Sequence, residues 1–194
     1  MSSILVRKIR AKFDELWFNE TRDQSKLTFY ASFKSRFIAE PYLTSISNIA
    51  HRIALTRFRF SAHKLCIETG RYSNKSYHLK KFDQACTFCM NSDNTVSGLS
   101  SEDTLPEPIL EDEIHFLNQC PTYDHLRESL TNELSANLAN EKFRCIFESS
   151  PLSKELAKFI FMATKYRTEL INSRKISDKA LNLAEPAPTA TQPQ

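Results

Sequence analysis

Glycine is scarce in this sequence, with only 2 glycines among 194 residues. Glycine supplies the positive φ angles of tight hairpin turns and lets a backbone approach a phosphate closely. The scarcity therefore argues against a glycine-rich phosphate loop and against a sandwich built from short hairpins. It favours helices joined by polar turns, so we expect a mainly α-helical fold.

Long apolar runs are also missing. No stretch approaches the roughly 18 apolar residues that span a bilayer. The N-terminal residues 1–19 lack the apolar segment of a secretory signal. Cations precede the first acid there, as in a mitochondrial presequence, but Phe13, Leu16 and Trp17 continue the apolar stripe as a core helix would. Five cysteines without a secretory signal are typical of a reducing compartment. We expect an intracellular protein of the nucleus or cytoplasm, neither secreted nor bound to a membrane.

Acidic residues are few in the first part of the chain. Residues 1–82 contain 16 Lys and Arg against 6 Asp and Glu, which gives a net charge of +10. Residues 83–194 contain 10 against 17, a net charge of −7, so the overall value of +3 conceals the imbalance. A region as basic as the first one attracts polyanions, and the partner that we expect is nucleic acid, either RNA or DNA.

Composition and apolar spacing divide the chain into four predicted regions. A basic helical region at 1–82 is followed by a metal-binding module at 83–127, whose residues 91–110 are predicted to form a long, disordered polar loop. Helices follow at 128–183, and the proline-rich tail at 184–194 is predicted to be disordered.

Helical periodicity indicates where the individual helices lie. We predict helices at about 3–21 and 25–39 and a third that begins near Ser45 or Ser47 and ends by Gly70. The faces of the first two helices are expected to pack in the core. Helical spacing groups Ile9, Phe13, Leu16 and Trp17 in the first helix, Leu27, Tyr30, Phe33 and Phe37 in the second, Ile49, Ile53 and Phe60 in the third, and Leu156, Ile160, Ala163 and Arg167 in the last.

Two short motifs supply four candidate metal ligands. The motif "CTFC" contains Cys86 and Cys89, and "HFLNQC" contains His115 and Cys120. Thiolate and imidazole are the donors that tetrahedral zinc prefers. The intervening 25 residues form a long connection, but doubling a loop costs only about 0.6 kcal/mol. We predict one structural zinc ion here; the alternative is buried thiols and a core imidazole.

The other cysteines and histidines have no partner at ligand spacing. We expect Cys66 and Cys145 to lie in the core, and among the remaining histidines only His63 stays open as a ligand.

Basic and aromatic residues alternate just before the first half-site. Lysine and arginine contact phosphates, and aromatic rings offer faces on which unpaired bases stack. The alternative is a solvated helix face whose aromatic residues point inward. The candidate nucleic-acid-binding residues are Arg57, Arg59, Lys64, Arg71, Lys75, Lys80 and Lys81.

Two longer motifs carry a resemblance to a known family. The segment from Arg59 to Tyr72 reads R-x-S-x-H-x-L-x-I-E-x-G-R-Y, and the segment from Glu111 to Tyr123 reads E-D-E-x-H-F-x-x-x-C-P-x-Y. With "CTFC" between them, they resemble the C-terminal region of reverse transcriptases from non-LTR retrotransposons, over roughly residues 17–167. In that family a polymerase is followed by a helical segment and a Cys-Cys-His-Cys zinc-binding module.

The resemblance implies roles for particular residues of this chain. It implies that the four candidate ligands bind zinc, and that a polymerase domain encoded elsewhere is a partner. It also places Arg59, His63, Glu68 and Arg71 in the basic lead-in to the module. The chain departs from the family in its longer loop and in lacking a Tyr-x-Asp-Asp motif or another carboxylate pair that could hold two magnesium ions.

These observations favour a binding module and not an enzyme. We expect a zinc-stabilised nucleic-acid-binding module without catalytic residues. The alternative is a helical protein-interaction domain in which zinc only stabilises the fold. A zinc hydrolase is disfavoured, because four protein ligands leave no open position for a water molecule.

Overall fold

The computed structural model describes residues 3–73, 77–90 and 107–183, and in these ranges the regular structure is helical. The predicted mainly α fold is confirmed. The predicted tail, and residues 91–106 of the predicted loop, lie outside the described residues. The helices are α1 (Ser3–Asp23), α2 (Thr28–Phe33), α3 (Tyr42–Ser45), α4 (Ile49–Arg59), α5 (Cys66–Thr69), α6 (Tyr77–Asp83), α7 (Asp124–Arg127), α8 (Asn132–Ala139), α9 (Phe143–Glu148) and α10 (Ser150–Leu183).

Short turns complete the described backbone. Single 3₁₀ turns lie at Ser25–Leu27, Gly70–Tyr72 and Pro121–Tyr123, and one π turn lies at His115–Gln119. An isolated antiparallel bridge joins Ala85 to Leu110. None of the described helices is long and apolar enough to cross a membrane.

The long helix α10 packs against α3, α4, α7, α8 and α9 and makes its most extensive contact with α4. The four residues that the sequence placed at three- and four-residue steps, Leu156, Ile160, Ala163 and Arg167, are all buried on one face of it. Residues three and four apart lie on one side of a helix, so one face of α10 enters the core from Leu152 to Arg167.

One cluster of buried side chains extends from α2 to α10 and includes residues of the candidate metal site. Phe116 lies at its centre, with ring centroids 5.6 Å from Phe58 and 4.8 Å from Tyr123. Burying an apolar side chain of this size contributes about 1.5–3 kcal/mol relative to exposure. The residues around the candidate ligands are therefore packed against the helices and do not rest on a metal ion alone.

The predicted apolar face of α1 is not a core face, which corrects the sequence prediction. Ile9 and Phe13 are each 57% exposed, Leu16 is 48% exposed, and only Trp17 packs partly against the core. No described element lies over the first turns of α1 closely enough to cover them.

The second and third predicted helices also differ from the structure. The second ends at Phe33 and not at Ala39, so Phe37 lies beyond it and is 52% exposed. The third is capped by Asn48, whose side chain accepts from the backbone N–H of His51, and not by Ser45 or Ser47.

The residues that helical spacing groups in the third helix do not form its buried face. Ile49 and Ile53 are exposed, whereas Leu55 and Phe58 are buried. The apolar residues of this helix cover more than one side, and contact with α10 selects which side is buried.

Gly70 is required for close packing and not for an unusual backbone angle. Its φ is −74°, an ordinary helical value. A Cβ atom at this position would lie 2.7 Å from the backbone carbon and oxygen of Asp83. Gly70, predicted to end a helix, therefore lies where the turn after α5 contacts the end of α6.

Candidate metal centre

The structure brings together the four candidate ligands predicted from the sequence. The ligand atoms of Cys86, Cys89, His115 and Cys120 all lie within 4.8 Å of one another. The sulfur of Cys120 is 3.9 Å from that of Cys86 and 3.8 Å from that of Cys89, and His115 Nε2 is 3.4 Å from the Cys89 sulfur. Sulfurs bound tetrahedrally at about 2.3 Å from one ion are about 3.8 Å apart. The cluster can therefore hold one metal ion.

The bridge between Ala85 and Leu110 places the Cys-x-x-Cys motif beside the second half-site. The Cys86 N–H donates to the carbonyl of Ile109 at 2.8 Å, and the Glu111 N–H donates to the carbonyl of Gln84 at 2.9 Å. The Cys-x-x-Cys turn is closed by a bond from the Met90 N–H to the Cys86 carbonyl at 3.0 Å. Backbone pairing therefore aligns the two segments however long the connection between them is.

The end of α10 supports the outside of the Cys-x-x-Cys turn. Arg174 donates from Nη1 to the carbonyl of Thr87 at 2.8 Å, and its guanidinium lies 4.9 Å from the centroid of the Phe88 ring. This contact ties the metal-binding turn to a helix that begins after both half-sites.

A π turn places His115 beside Cys120. The Cys120 N–H donates to the His115 carbonyl at 2.8 Å, a bond across five residues. The Asp112 carboxylate accepts from the His115 N–H at 2.7 Å and so caps the start of the turn. The wider π turn brings residues five apart to the same side, which explains how a His-x-x-x-x-Cys spacing forms a half-site.

The thiols already differ in acidity without a metal ion. A hydrogen bond from the Cys86 thiol lowers the pKa of Cys120, while that bond and burial raise the pKa of Cys86. Burial also raises the pKa of Cys89. Thiols bind a metal ion as thiolates, so an ion held by these three cysteines would require the release of their protons.

A buried ion pair anchors the segment before the second half-site. Arg167 on α10 donates from Nε and Nη2 to the two carboxylate oxygens of Glu111, at 2.7 and 2.6 Å. Glu111 also accepts from the Cys66 N–H at 2.7 Å. Three elements that are distant in sequence meet at this one carboxylate.

A second buried carboxylate makes the other connection between the two long motifs. Glu113 Oε1 accepts from the Ser61 hydroxyl at 2.6 Å and lies 3.0 Å from His63 Nε2. Burial alone would raise the pKa of Glu113, but the hydrogen bonds from His63 and Ser61 outweigh burial and lower it. The sequence did not exclude His63 as a metal ligand, but in the structure its side chain contacts Glu113 and not the metal cluster.

The sequence analysis did not predict the roles of Glu111 and Glu113. Both are buried acids and lie directly after the predicted polar loop at 91–110. The available signal was the E-D-E-x-H motif, which contains both acids two residues apart and ends at His115. The partners of both carboxylates lie about fifty residues away in sequence, so the local pattern could not indicate them.

Arg59 is a core residue, which corrects its assignment to the nucleic-acid surface. Its side chain is 1% exposed and forms an ion pair with Glu40 at 2.8 Å. The guanidinium lies 4.5–5.0 Å from three aromatic ring centroids, those of Phe33, Tyr42 and Phe147. Such a cation is held by carboxylate and ring faces and has no path to a phosphate.

The other candidate nucleic-acid-binding residues are found in different environments. Arg71 forms an ion pair with Glu68 at 2.5 Å, and Lys81 pairs with Glu107 at 2.7 Å. Lys75 lies outside the described residues. Arg57 and Lys64 are exposed and Lys80 is partly buried, and none of these three forms an ion pair with a described carboxylate.

The two remaining cysteines differ from each other. Cys66 is buried as predicted, and burial raises the pKa of its thiol to about 12. Cys145 is exposed on α9, so its predicted core position is wrong. Neither belongs to the metal cluster.

Comparisons with known proteins do not assign this chain to a family. Neither a protein-family model, nor a curated protein, nor a solved structure matches this chain.

Proposed function

We propose that this protein is a zinc-stabilised helical module that binds nucleic acid and has no catalytic site of its own. The observation that carries the proposal is the cluster of three thiols and one imidazole within 4.8 Å, set in a chain whose first 82 residues are strongly basic.

Zinc is the metal that best fits the donor set. Three sulfurs and an imidazole nitrogen are soft or borderline ligands, and their separations suit a tetrahedron. Three of the four ligands are buried, and four protein ligands complete the tetrahedron. We therefore assign the ion a structural role.

The expected nucleic-acid surface is narrower than the basic run of the sequence. Among the described candidates, Arg59 is buried and Arg71 and Lys81 have carboxylate partners, which leaves Arg57, Lys64 and Lys80 for phosphate contacts. Lys75 stays a candidate outside the described residues. The resemblance to reverse transcriptase C-terminal regions supports nucleic acid as the ligand, and it suggests a polymerase domain encoded elsewhere as a protein partner.

Metal content tests the first half of the proposal. The parent protein, purified without chelators, should contain one zinc ion per chain by elemental analysis. Cys120→Ser should contain clearly less, and its zinc affinity should fall by more than the roughly 10–100-fold typical of losing an outer-shell partner. Cys145→Ser is the matched control, because this thiol is exposed and outside the cluster. A parent that neither contains nor takes up zinc refutes the assignment.

A salt series tests the second half. Titrations against single-stranded RNA, single-stranded DNA and duplex should show affinity that falls steeply as salt rises, because phosphate binding releases counterions. Replacing Arg57, Lys64 and Lys80 together with alanine should reduce the salt slope on a single strand by up to about 2 units.

The matched control uses exposed lysines of the acidic part of the chain. Replacing Lys154, Lys158 and Lys165 with alanine removes the same charge from α10 and should leave the salt slope unchanged. If both triple variants weaken binding equally, the ligand responds to net charge and not to the proposed surface.

The alternative function is a protein-interaction domain in which zinc has only a structural role. It predicts no binding to any of the three nucleic acids at low salt, or binding that does not depend on salt. One zinc ion per chain together with that result would support the alternative and reject nucleic acid as the ligand.

A further inference from the structure

Helix α1 carries an exposed apolar seam with the spacing of a coiled coil. Steps of three, four and three residues separate its members, which match alternating a and d positions. Phe37 widens the surface, because its ring centroid is 5.6 Å from that of Phe13 and its side chain is 52% exposed. The seam consists of Val6, Ile9, Phe13 and Leu16, which are 49%, 57%, 57% and 48% exposed.

The charges of α1 are divided between its two halves. Residues 3–13 contain four cations and no acid, whereas residues 14–23 contain four acids and one cation. In a parallel pair of such helices, the basic half would face another basic half. In an antiparallel pair with Val6 opposite Leu16, Arg7 and Lys8 of each copy lie level with Glu15 and Asp14 of the other.

We propose that two copies of this chain associate through an antiparallel pair of α1 helices. Two-fold symmetry then places Val6 of each chain against Leu16 of the other, and Ile9 against Phe13. Every layer of the seam pairs an a position with a d position, and every exposed member of the seam gains an apolar partner. The association is separate from metal and nucleic-acid binding and does not depend on either.

The features of α1 fit a second copy better than other ligands. An anionic lipid surface would attract the first half of the helix and repel the acidic second half. A single nucleic-acid strand would meet the same acids, and the aliphatic members of the seam offer its bases no ring to stack on. A second copy covers the apolar seam and also places cations of one helix beside acids of the other.

Sedimentation of the zinc-loaded full chain tests the association. The parent should show a concentration-dependent equilibrium between monomer and dimer. The double variant Ile9→Glu/Phe13→Glu should remain a monomer with unchanged helical circular dichroism, because both side chains are exposed. The control Ile176→Glu changes an isoleucine that is 70% exposed on α10, and it should dimerise like the parent. A parent that stays monomeric up to its solubility limit overturns the proposal, as does a double variant that dimerises normally.

Cross-linking tests the orientation. In a Cys145→Ser background, which removes the exposed thiol, a mixture of Val6→Cys chains and Leu16→Cys chains should form a disulfide-linked dimer under mild oxidation. Neither chain should do so by itself, because a disulfide requires Cα atoms within about 7 Å. Cross-linking of Val6→Cys chains alone would indicate a parallel pair and overturn the proposal. A monomeric parent whose double variant loses binding to RNA or to anionic vesicles would assign the seam to that ligand instead.

Discussion

Replacing Arg167 with methionine should cost this protein a large share of its stability. Arg167 is the only cation that contacts Glu111 in the described structure, and it does so through two charge-assisted hydrogen bonds. The Glu111 side chain is 1% exposed and that of Arg167 is 9% exposed. Methionine retains much of the aliphatic stem, so the variant mainly removes the charge. It leaves a buried carboxylate whose remaining donors are the backbone N–H and the thiol of Cys66.

The expected loss follows from the cost of a buried, uncompensated charge. Removing one partner of a buried ion pair typically costs about 3–5 kcal/mol. In a chain of this length each kcal/mol lowers the melting temperature by about 2–4 °C, so we expect a decrease of roughly 6–20 °C. The matched control is Arg144→Met, since Arg144 pairs with Glu148 on the surface of α9 with both side chains more than half exposed. That pair should contribute about 0.5 kcal/mol or less.

Urea unfolding monitored by circular dichroism at saturating zinc measures both variants. The double variant Glu111→Gln/Arg167→Met supplies the decisive comparison, because glutamine keeps an acceptor for the Cys66 N–H without the charge. It should recover about 0.5–3 kcal/mol relative to Arg167→Met alone. If Arg167→Met and Arg144→Met lose the same stability, or if the double variant recovers nothing, the carboxylate at Glu111 is not held by this pair.

Three further outcomes are expected. Gly70→Ala should destabilise the protein by about 1–3 kcal/mol in the same unfolding assay, because the new Cβ would lie 2.7 Å from the backbone of Asp83; a neutral substitution would contradict this packing. In the zinc-loaded protein Cys145 should react readily with a thiol reagent, whereas Cys66 should react only after unfolding, because it is buried and its pKa is raised to about 12; mass spectrometry of labelled peptides distinguishes them. Removing the metal with a chelator should lower the unfolding free energy by about 4 kcal/mol relative to protein in zinc at 1,000 times its dissociation constant, and equal melting curves would contradict a structural metal.

Some features of the protein follow from the sequence because they depend on residues close together in the chain. The buried face of α10 is set by steps of three and four residues, which a helix always brings to one side. The two half-sites of the metal centre are likewise local, since spacings of three and five positions let a single turn bring both ligands to one side. The ligand set therefore required no knowledge of the rest of the fold.

Other features were decided only when distant elements packed together. Whether an apolar stripe is buried depends on which elements pack against it. On α1 the stripe is present, but no described element packs over most of it. The sequence predicted Arg59 to be a surface cation. In the structure Glu40 and three aromatic rings enclose it. Glu111 and Glu113 are buried because partners about fifty residues away in the chain hold them. A buried charge is stable only beside a specific partner, and the sequence spacing of the residues does not reveal which partner the fold will supply.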